Sequence, residues 1–153
     1  MLSAAVVSLE ATLKSRLEIK YLPLNEFELK GRRTVVKLYG YKKCGTCRKA
    51  EKALQALNVD YTFIDITVTP PSATTIKNVA KQAQLEMKKM FNTSGVQYRE
   101  LKIKDQLPQL TDKDIVSMLA ENGRLIKRPI VTDGSTSSVG FKEETFLETW
   151  KTA

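Results

Sequence analysis

TVVKLYGYKKCGTCRKAEKALQAL, residues Thr34–Leu57, is the stretch from which the rest of the chain is read. Its apolar opening, Val35-Val36-Lys37-Leu38-Tyr39, predicts a strand that stops at Gly40. A short polar turn follows. Ala50, Ala53, Leu54 and Leu57 then fall at i, i+3, i+4 and i+7, the spacing of one buried helix face, with Arg48, Lys49, Glu51 and Lys52 opposite. The chain's two cysteines, Cys44 and Cys47, therefore sit where a strand hands over to a helix N-terminus.

That placement has chemical consequences. The first turn of a helix has unpaired N–H groups and the positive end of the macrodipole, which together stabilise a thiolate. Lys42, Lys43, Arg48 and Lys49 add positive charge nearby. Cys44, at or just before the first turn, is expected to be the more exposed and more acidic thiol. Cys47, three residues on, lies on the same side, within reach as a resolving partner. Two other readings stand beside this one. A CxxC pair is also half of a zinc site, but with no further cysteine and no histidine the missing ligands would have to be carboxylates, so no metal is expected. Two buried structural cysteines are the other alternative.

Composition bounds the function. The 153 residues suit one domain with an appendage, and 42% hydrophobic with 27% charged residues suits a globular protein. No apolar run approaches a membrane span, so no membrane role is expected. The opening MLSAAVVSLEATLKSR lacks a basic leader and soon carries Glu10, so no export signal is expected and the CxxC pair points to a reducing cytoplasm. The absence of histidine excludes a Ser-His-Asp triad, a Cys-His nucleophile pair and an HExxH site. The net charge of +8 is spread along the chain without the aromatic–basic signature of an RNA module. It reads as solubility and attraction for anions, not direct nucleic-acid binding.

Residues 1–33 read as a helical extension or linker: Val6, Leu9, Leu13 and Leu17 predict a helix over about 3–18, broken at Tyr21-Leu22-Pro23-Leu24. A helix covering a sheet edge and an extended translation start are both compatible with it. Residues 34–153 form the domain. Asn58 ends the cysteine helix, and Asp60–Ile66 predicts a second strand. Pro70-Pro71 stops it, Ser72 is an N-cap, and Ile76, Val79, Ala80 and Ala83 mark a helix face. A short helix is expected over Leu85–Phe91, a turn at Asn92-Thr93-Ser94-Gly95, and a helical turn from Tyr98 to Lys102. Thr111 and Asp114 suggest a capping box ahead of Ile115, Met118 and Leu119, and Asn122-Gly123 closes that helix. Leu125–Thr132 reads as a strand interrupted by Arg128-Pro129. A hairpin at Asp133-Gly134, a return strand over Ser137–Phe141 and a helix over Lys142–Lys151, with Phe146, Leu147 and Trp150 inward, complete the chain.

The resulting order, β-α-β, several helices, then β-β-α, with CxxC after the first strand, is an α/β thioredoxin-like fold with a helical insertion between its halves and an N-terminal extension. The stretches YGYKKCGTCRKA, PPS, LEMKKMFNTSGVQYRELKIKD, NGRLIKRPIVTDG and VGFKEETF, in that order, resemble the ArsC/Spx/MgsR family. Within it the chain is most similar to the arsenate reductase-like branch that includes the YusI and YffB proteins. The resemblance covers about Val35–Trp150. It implies that Cys44 is the catalytic cysteine, that Arg128 binds an oxyanion or steadies the thiolate, and that Pro129 is cis and faces the site. Gly45, Thr46 and Asn92 join Pro129 as expected substrate-binding positions. The chain departs from the arsenate reductases at Asn92 and near Val139-Gly140-Phe141, where they carry arginines, so weak arsenate reduction is expected.

Two functions follow. The first is a thiol–disulfide oxidoreductase, with Cys44 as nucleophile and Cys47 resolving. It would hold no tightly bound cofactor and draw on a thiol reductant: glutathione as co-substrate, glutaredoxin or thioredoxin. The alternative is an Spx-like regulator whose CxxC state controls binding to the RNA polymerase alpha subunit. Arsenate reduction itself comes third.

Overall fold

Gly40 is the point around which the sheet and the first helix meet. The computed structural model describes residues 35–152; the extension 1–33 and its expected helix lie outside the described residues. Strand β1 (Val36–Gly40) is followed by helix α1 (Gly45–Ala56) and strand β2 (Tyr61–Asp65). β1 and β2 are parallel, in register from Val36 opposite Tyr61 to Gly40 opposite Asp65. A helical stretch follows: α2 (Ala73–Gln82), a 3-10 turn (Met87–Met90), α3 (Val96–Glu100), α4 (Ile103–Gln106), α5 (Asp112–Glu121) and a second 3-10 turn (Gly123–Leu125). Strands β3 (Ile130–Thr132) and β4 (Ser137–Val139) and helix α6 (Glu143–Trp150) close the chain. The sheet order is β2-β1-β3-β4, with β3 antiparallel to both its neighbours. This is the α/β, thioredoxin-like order, with the helical insertion in its expected place.

Alternation along β1 sends side chains to opposite faces of the sheet. Val36 and Leu38 pack with Ala50 and Leu54 of α1 and Phe146 and Trp150 of α6. Tyr39 joins the second cluster, with Ile76 and Val79 of α2 and Ile115 and Leu119 of α5. Trp150 is fully buried and its indole N–H still finds a partner, donating to Ser138 Oγ at 3.0 Å, so α6 is tied to β4 by both burial and a directed bond. Truncating such a residue to alanine costs about 3–5 kcal/mol.

The helix starts follow their sequence signals. Ser72 Oγ accepts from Thr75 N–H at 3.2 Å at the head of α2, and Thr111 and Asp114 close a reciprocal capping box on α5. Asn58 leaves α1 with a positive φ of 55°, a conformation that asparagine tolerates. A Cβ on Gly123 would lie 1.7 Å from the Ile66 carbonyl oxygen, so no side chain fits where the second 3-10 turn crosses the end of β2.

Four expectations are corrected. Leu85–Phe91 is not a helix beyond the single turn Met87–Met90, because Phe91 goes extended and bridges Ile126. Leu125–Thr132 is not one interrupted strand: its first part pairs with the Met90–Asn92 segment, through Asn92 N–H to Leu125 O at 2.7 Å and Lys127 N–H to Met90 O at 2.7 Å. Only Ile130–Thr132 enters the sheet. The helical turn near Tyr98 starts earlier, at Val96, and is followed by α4, from which it is separated by Lys102 in the left-handed region at φ 49°. The return strand is also shorter than read, ending at Val139.

Candidate active site

β1 ends at Gly40, and the turn Tyr41–Lys43 delivers Cys44 as the N-cap residue of α1. Cys44 N–H donates to Tyr41 O at 2.9 Å, and Arg48 N–H donates to Cys44 O at 3.1 Å, so the backbone on both sides of the thiol is fixed. Cys44 is half-buried and its Sγ lies 3.0 Å from Thr46 Oγ1. Partial burial alone would push this thiol up. The Thr46 hydroxyl, the Cys47 N–H, the Cys47 thiol and the Thr46 N–H together outweigh it, and the pKa falls below the ordinary thiol value. The two N–H groups favour the anion without closing a cap bond onto the sulfur.

Cys47, one turn along the helix, is fully buried. Its Sγ accepts from Tyr41 N–H at 3.4 Å. Burial pushes its thiol up to about 12. The Tyr41 N–H opposes this, the neighbouring Cys44 reinforces it, and the Arg128 guanidinium opposes it through its charge. Both thiols are free. Gly40 is what allows the buried one its place: a Cβ there would come 3.1 Å from Cys47 Sγ and 2.9 Å from Leu38 Cδ2.

Arg128 precedes Pro129 across a cis peptide bond. Its guanidinium carbon lies 5.6 Å from the centroid of the Tyr41 ring, at the margin of cation–π range. Pro129 is buried and its carbonyl accepts from Gly140 N–H at 2.8 Å. The electrostatic influence of Arg128 falls on Cys47. Of the basic residues around the CxxC turn, Lys42 is turned away: its ammonium pairs with Glu51 at 2.8 Å and sits 3.8 Å from the centroid of the Phe63 ring. The acidity of Cys44 therefore rests on hydroxyl, thiol and backbone donors. Gly45 is exposed, and a Cβ there would meet nothing within 4 Å.

A cleft of about 510 Å³ reaches the cysteine turn at Tyr41, without either thiol in its lining. Tyr41 and Arg128 are its link to that turn, and Asn92, Gln97, Glu100 and Arg124 are among the residues that line the rest. The sequence reading brought Asn92 and Arg128 to this place and missed Tyr41, Gln97, Glu100 and Arg124. Its one usable signal for Arg124 and Gln97 was that both fall inside the stretches FNTSGVQYRE and NGRLIKRP that carried the family likeness. The cleft holds a second guanidinium where the sequence reading counted Arg128 alone.

Among the described residues, no helix is long and apolar enough to cross a membrane. The model of the ArsC family matches residues 39–149. The chain belongs to the ArsC family. Its likeness to Bacillus subtilis YusI, a protein described as uncharacterised, is 46% identity over 112 residues, covering 73% of this chain and 95% of YusI. A Streptococcus mutans UA159 protein, whose crystal structure is described as that of a possible arsenate reductase, is 42% identical with a TM-score of 0.66; the match covers 71% of this chain and 92% of that one. The global transcriptional regulator Spx 1 of Oceanobacillus iheyensis is 29% identical over 111 residues, 72% of this chain and 82% of the regulator. This ArsC-family chain is thus similar both to a protein described as a possible arsenate reductase and to one described as a global transcriptional regulator.

Proposed function

We propose that this ArsC-family protein is a cytoplasmic thiol–disulfide oxidoreductase in which Cys44 attacks and Cys47 resolves. One observation carries the reading: two thiols one helical turn apart are perturbed in opposite directions, the accessible one toward the anion and the buried one away from it. In the first step the Cys44 thiolate attacks one sulfur of a disulfide RS–SR. The Cys44–SR bond forms, the RS–SR bond breaks, and RS⁻ leaves. In the second, Cys47 loses its proton to solvent and attacks Cys44 Sγ, releasing the second RS⁻. The substrate gains two electrons and the protein is left as the Cys44–Cys47 disulfide. A thiol reductant (glutathione, glutaredoxin or thioredoxin) restores it. Thr46 holds the thiolate by its hydroxyl, Gly45 leaves open the approach to the sulfur, and Asn92, Arg128 and Pro129 shape the side from which the substrate comes.

The test is a single-turnover panel with reduced protein and no added reductant: glutathione disulfide, an insulin disulfide and arsenate, each with wild type and Cys44→Ser. Release of two thiols per protein from a disulfide, abolished in Cys44→Ser, is the expected result. Arsenate reacts poorly on this reading. It is multiply charged, capture beside a thiolate needs several fixed cationic donors, and Glu100 stands among those present. Fast arsenate reduction with inert disulfides would replace this reading by the third one.

A second reading rests on the likeness to Spx 1: a CxxC pair whose oxidation state governs binding to the RNA polymerase alpha subunit. Retention of the alpha subunit by the oxidised protein and not by the reduced one, with no disulfide turnover, would favour it.

A further inference from the structure

A second hollow, of about 190 Å³, opens at the other end of β1 from the cysteine turn. Lys37 and Tyr39 are two apart on β1, so both leave the sheet on the face that α2 covers. Thr75, Asn78, Val79 and Gln82 meet them from α2 at i, i+3, i+4 and i+7, one face of that helix. Gln82 ties the two sides together. Its Nε2 donates to Gly134 O at 2.8 Å, and its Oε1 accepts from Ser137 Oγ at 2.5 Å. Helix α2 is thereby fixed to the β3–β4 turn, and the hollow is built into the fold.

Most of the polar lining is already engaged. Thr132 Oγ1 accepts from Gly134 N–H at 3.1 Å, and Thr75 Oγ1 lies 2.9 Å from Ser72 Oγ. Asp133 Oδ1 accepts from the Ser135 and Thr136 N–H groups at 2.8 and 2.7 Å. Three groups are left over. Tyr39 is only 8% exposed, and its hydroxyl has no hydrogen-bond partner among the described residues. No fully buried side-chain oxygen among those residues lacks a partner, so the hydroxyl is the part of Tyr39 that opens into the hollow. Among the same residues Lys37 pairs with no carboxylate, and the Asn78 amide has no partner. Burial pushes the Tyr39 phenol up, so it keeps its proton and donates.

Tyr39 and Lys37 thus offer an anion two donors from one face of one strand. Asp133 limits how much charge that anion carries. Burial raises its carboxyl, the Thr136 and Ser135 N–H groups with the Ser135 hydroxyl outweigh this, and the acid stays ionised. Its charge disfavours a second negative charge on a ligand in the same hollow. Val79 and the exposed Val35 supply apolar surface. An apolar cavity of about 150 Å³ takes a benzene ring, which sets the size of body that fits here. We infer that this hollow is a binding site for small monocarboxylates with an apolar body, the carboxylate held by the Tyr39 hydroxyl and the Lys37 ammonium, with the Asn78 amide as a further donor, and the body lying against Val79. The site is separate from the cysteines and stands whether or not the oxidoreductase reading does.

The probe is benzoate, titrated into the isotope-labelled full chain and followed by backbone amide shifts, with neutral benzamide as its comparison. The proteins are wild type, Tyr39→Phe and Lys37→Gln. Saturable shifts centred on Lys37, Asn78 and Gly134 are expected, with benzamide about tenfold weaker, since hydrogen bonds to a charged group are the strong ones. Tyr39→Phe keeps the ring and loses the hydroxyl, so it weakens benzoate about tenfold. It leaves the thermal midpoint of the free protein unchanged or raised, because the hydroxyl it removes has no partner. Lys37→Gln brings benzoate and benzamide within about twofold of one another, the charge that separates them being gone. No saturable shift, shifts centred on Tyr41, Asn92 and Gln97 of the other cleft, or benzoate binding unchanged in both variants would overturn the site. So would a midpoint several degrees lower in Tyr39→Phe, which would show that the hydroxyl is bonded within the protein.

Discussion

Alkylation with iodoacetamide measures directly how far apart the fold has set the two thiols. Cys47 is pushed up to about 12 by burial, and Cys44 lies below the ordinary value of 9.0. The two are thus separated by at least about three pH units, and at any pH below both the thiolate fractions differ by at least about a thousandfold. A less acidic thiolate is intrinsically more nucleophilic, with a Brønsted coefficient of about 0.4–0.5, which returns about 15–30-fold to Cys47. The net advantage of Cys44 is then at least about 30-fold, before the full burial of Cys47 slows the reagent further. The assay is initial labelling of the reduced wild-type protein at pH 6–7.5, with each site quantified by peptide mass spectrometry. Cys44 leads throughout the range, because its thiol lies below the ordinary value while that of Cys47 is pushed up to about 12. A ratio near one, or faster labelling of Cys47, would refute both the role of burial at Cys47 and that of the donors at Cys44.

Mild oxidation should produce a monomer lighter by two protons, with a midpoint of roughly −120 to −270 mV, the span of CxxC oxidoreductases; a stable Cys44 sulfenic acid with Cys47 untouched would remove Cys47 as resolver. Arg128→Ala should slow closure of that disulfide by a factor on the order of 3–10, because the guanidinium favours the Cys47 thiolate, and should leave Cys44 alkylation nearly unchanged; the reverse pattern would place Arg128 on Cys44, as the family likeness alone suggested. Gly40→Ala should lower stability by about 1–3 kcal/mol in urea unfolding, since its Cβ would meet Leu38 and Cys47 at 2.9 and 3.1 Å; an unchanged midpoint would mean that the turn relaxes freely.

The half of the fold written in local signals was legible. The N-cap at Ser72 and the box at Thr111 each report a bond within three residues, the stop at Gly40 is a change of period along the chain, and all three stand where the sequence placed them. What failed was set by partners distant in sequence. Ile126 has the composition of a strand residue, but its partner is Phe91, outside the sheet. That one pairing both shortened the expected strand and unwound the expected helix before it. The break between α3 and α4 has no glycine or proline to announce it. It lies at Lys102, a residue type that gives no warning of a left-handed backbone. The site divides in the same way. Cys44, Thr46 and Cys47 are neighbours in sequence, and their relation follows from helix geometry. Arg124, Gln97 and Glu100 become neighbours only when the insertion folds back, through Asn122, beside the turn of Tyr41.

The absence of histidine bears on the order of events as well as on acidity. An imidazole beside a thiol would gain or lose its proton near neutrality and change the site with it. Here the groups acting on Cys44 are the Thr46 hydroxyl, the Cys47 thiol and two backbone N–H groups, none of which changes protonation at neutral pH. The anion the pair forms over that range is therefore that of Cys44, since Cys47 is pushed up to about 12. That anion is also one of the causes that keep Cys47 protonated. When Cys44 sulfur is taken into a mixed disulfide, its charge and its hydrogen bond to Cys47 disappear together. Burial still raises the Cys47 thiol. The two remaining influences, the Tyr41 N–H and the Arg128 charge, both favour its thiolate. Attack by Cys44 is thus the event that releases Cys47 to act, and the sequence of the two steps follows from the charges.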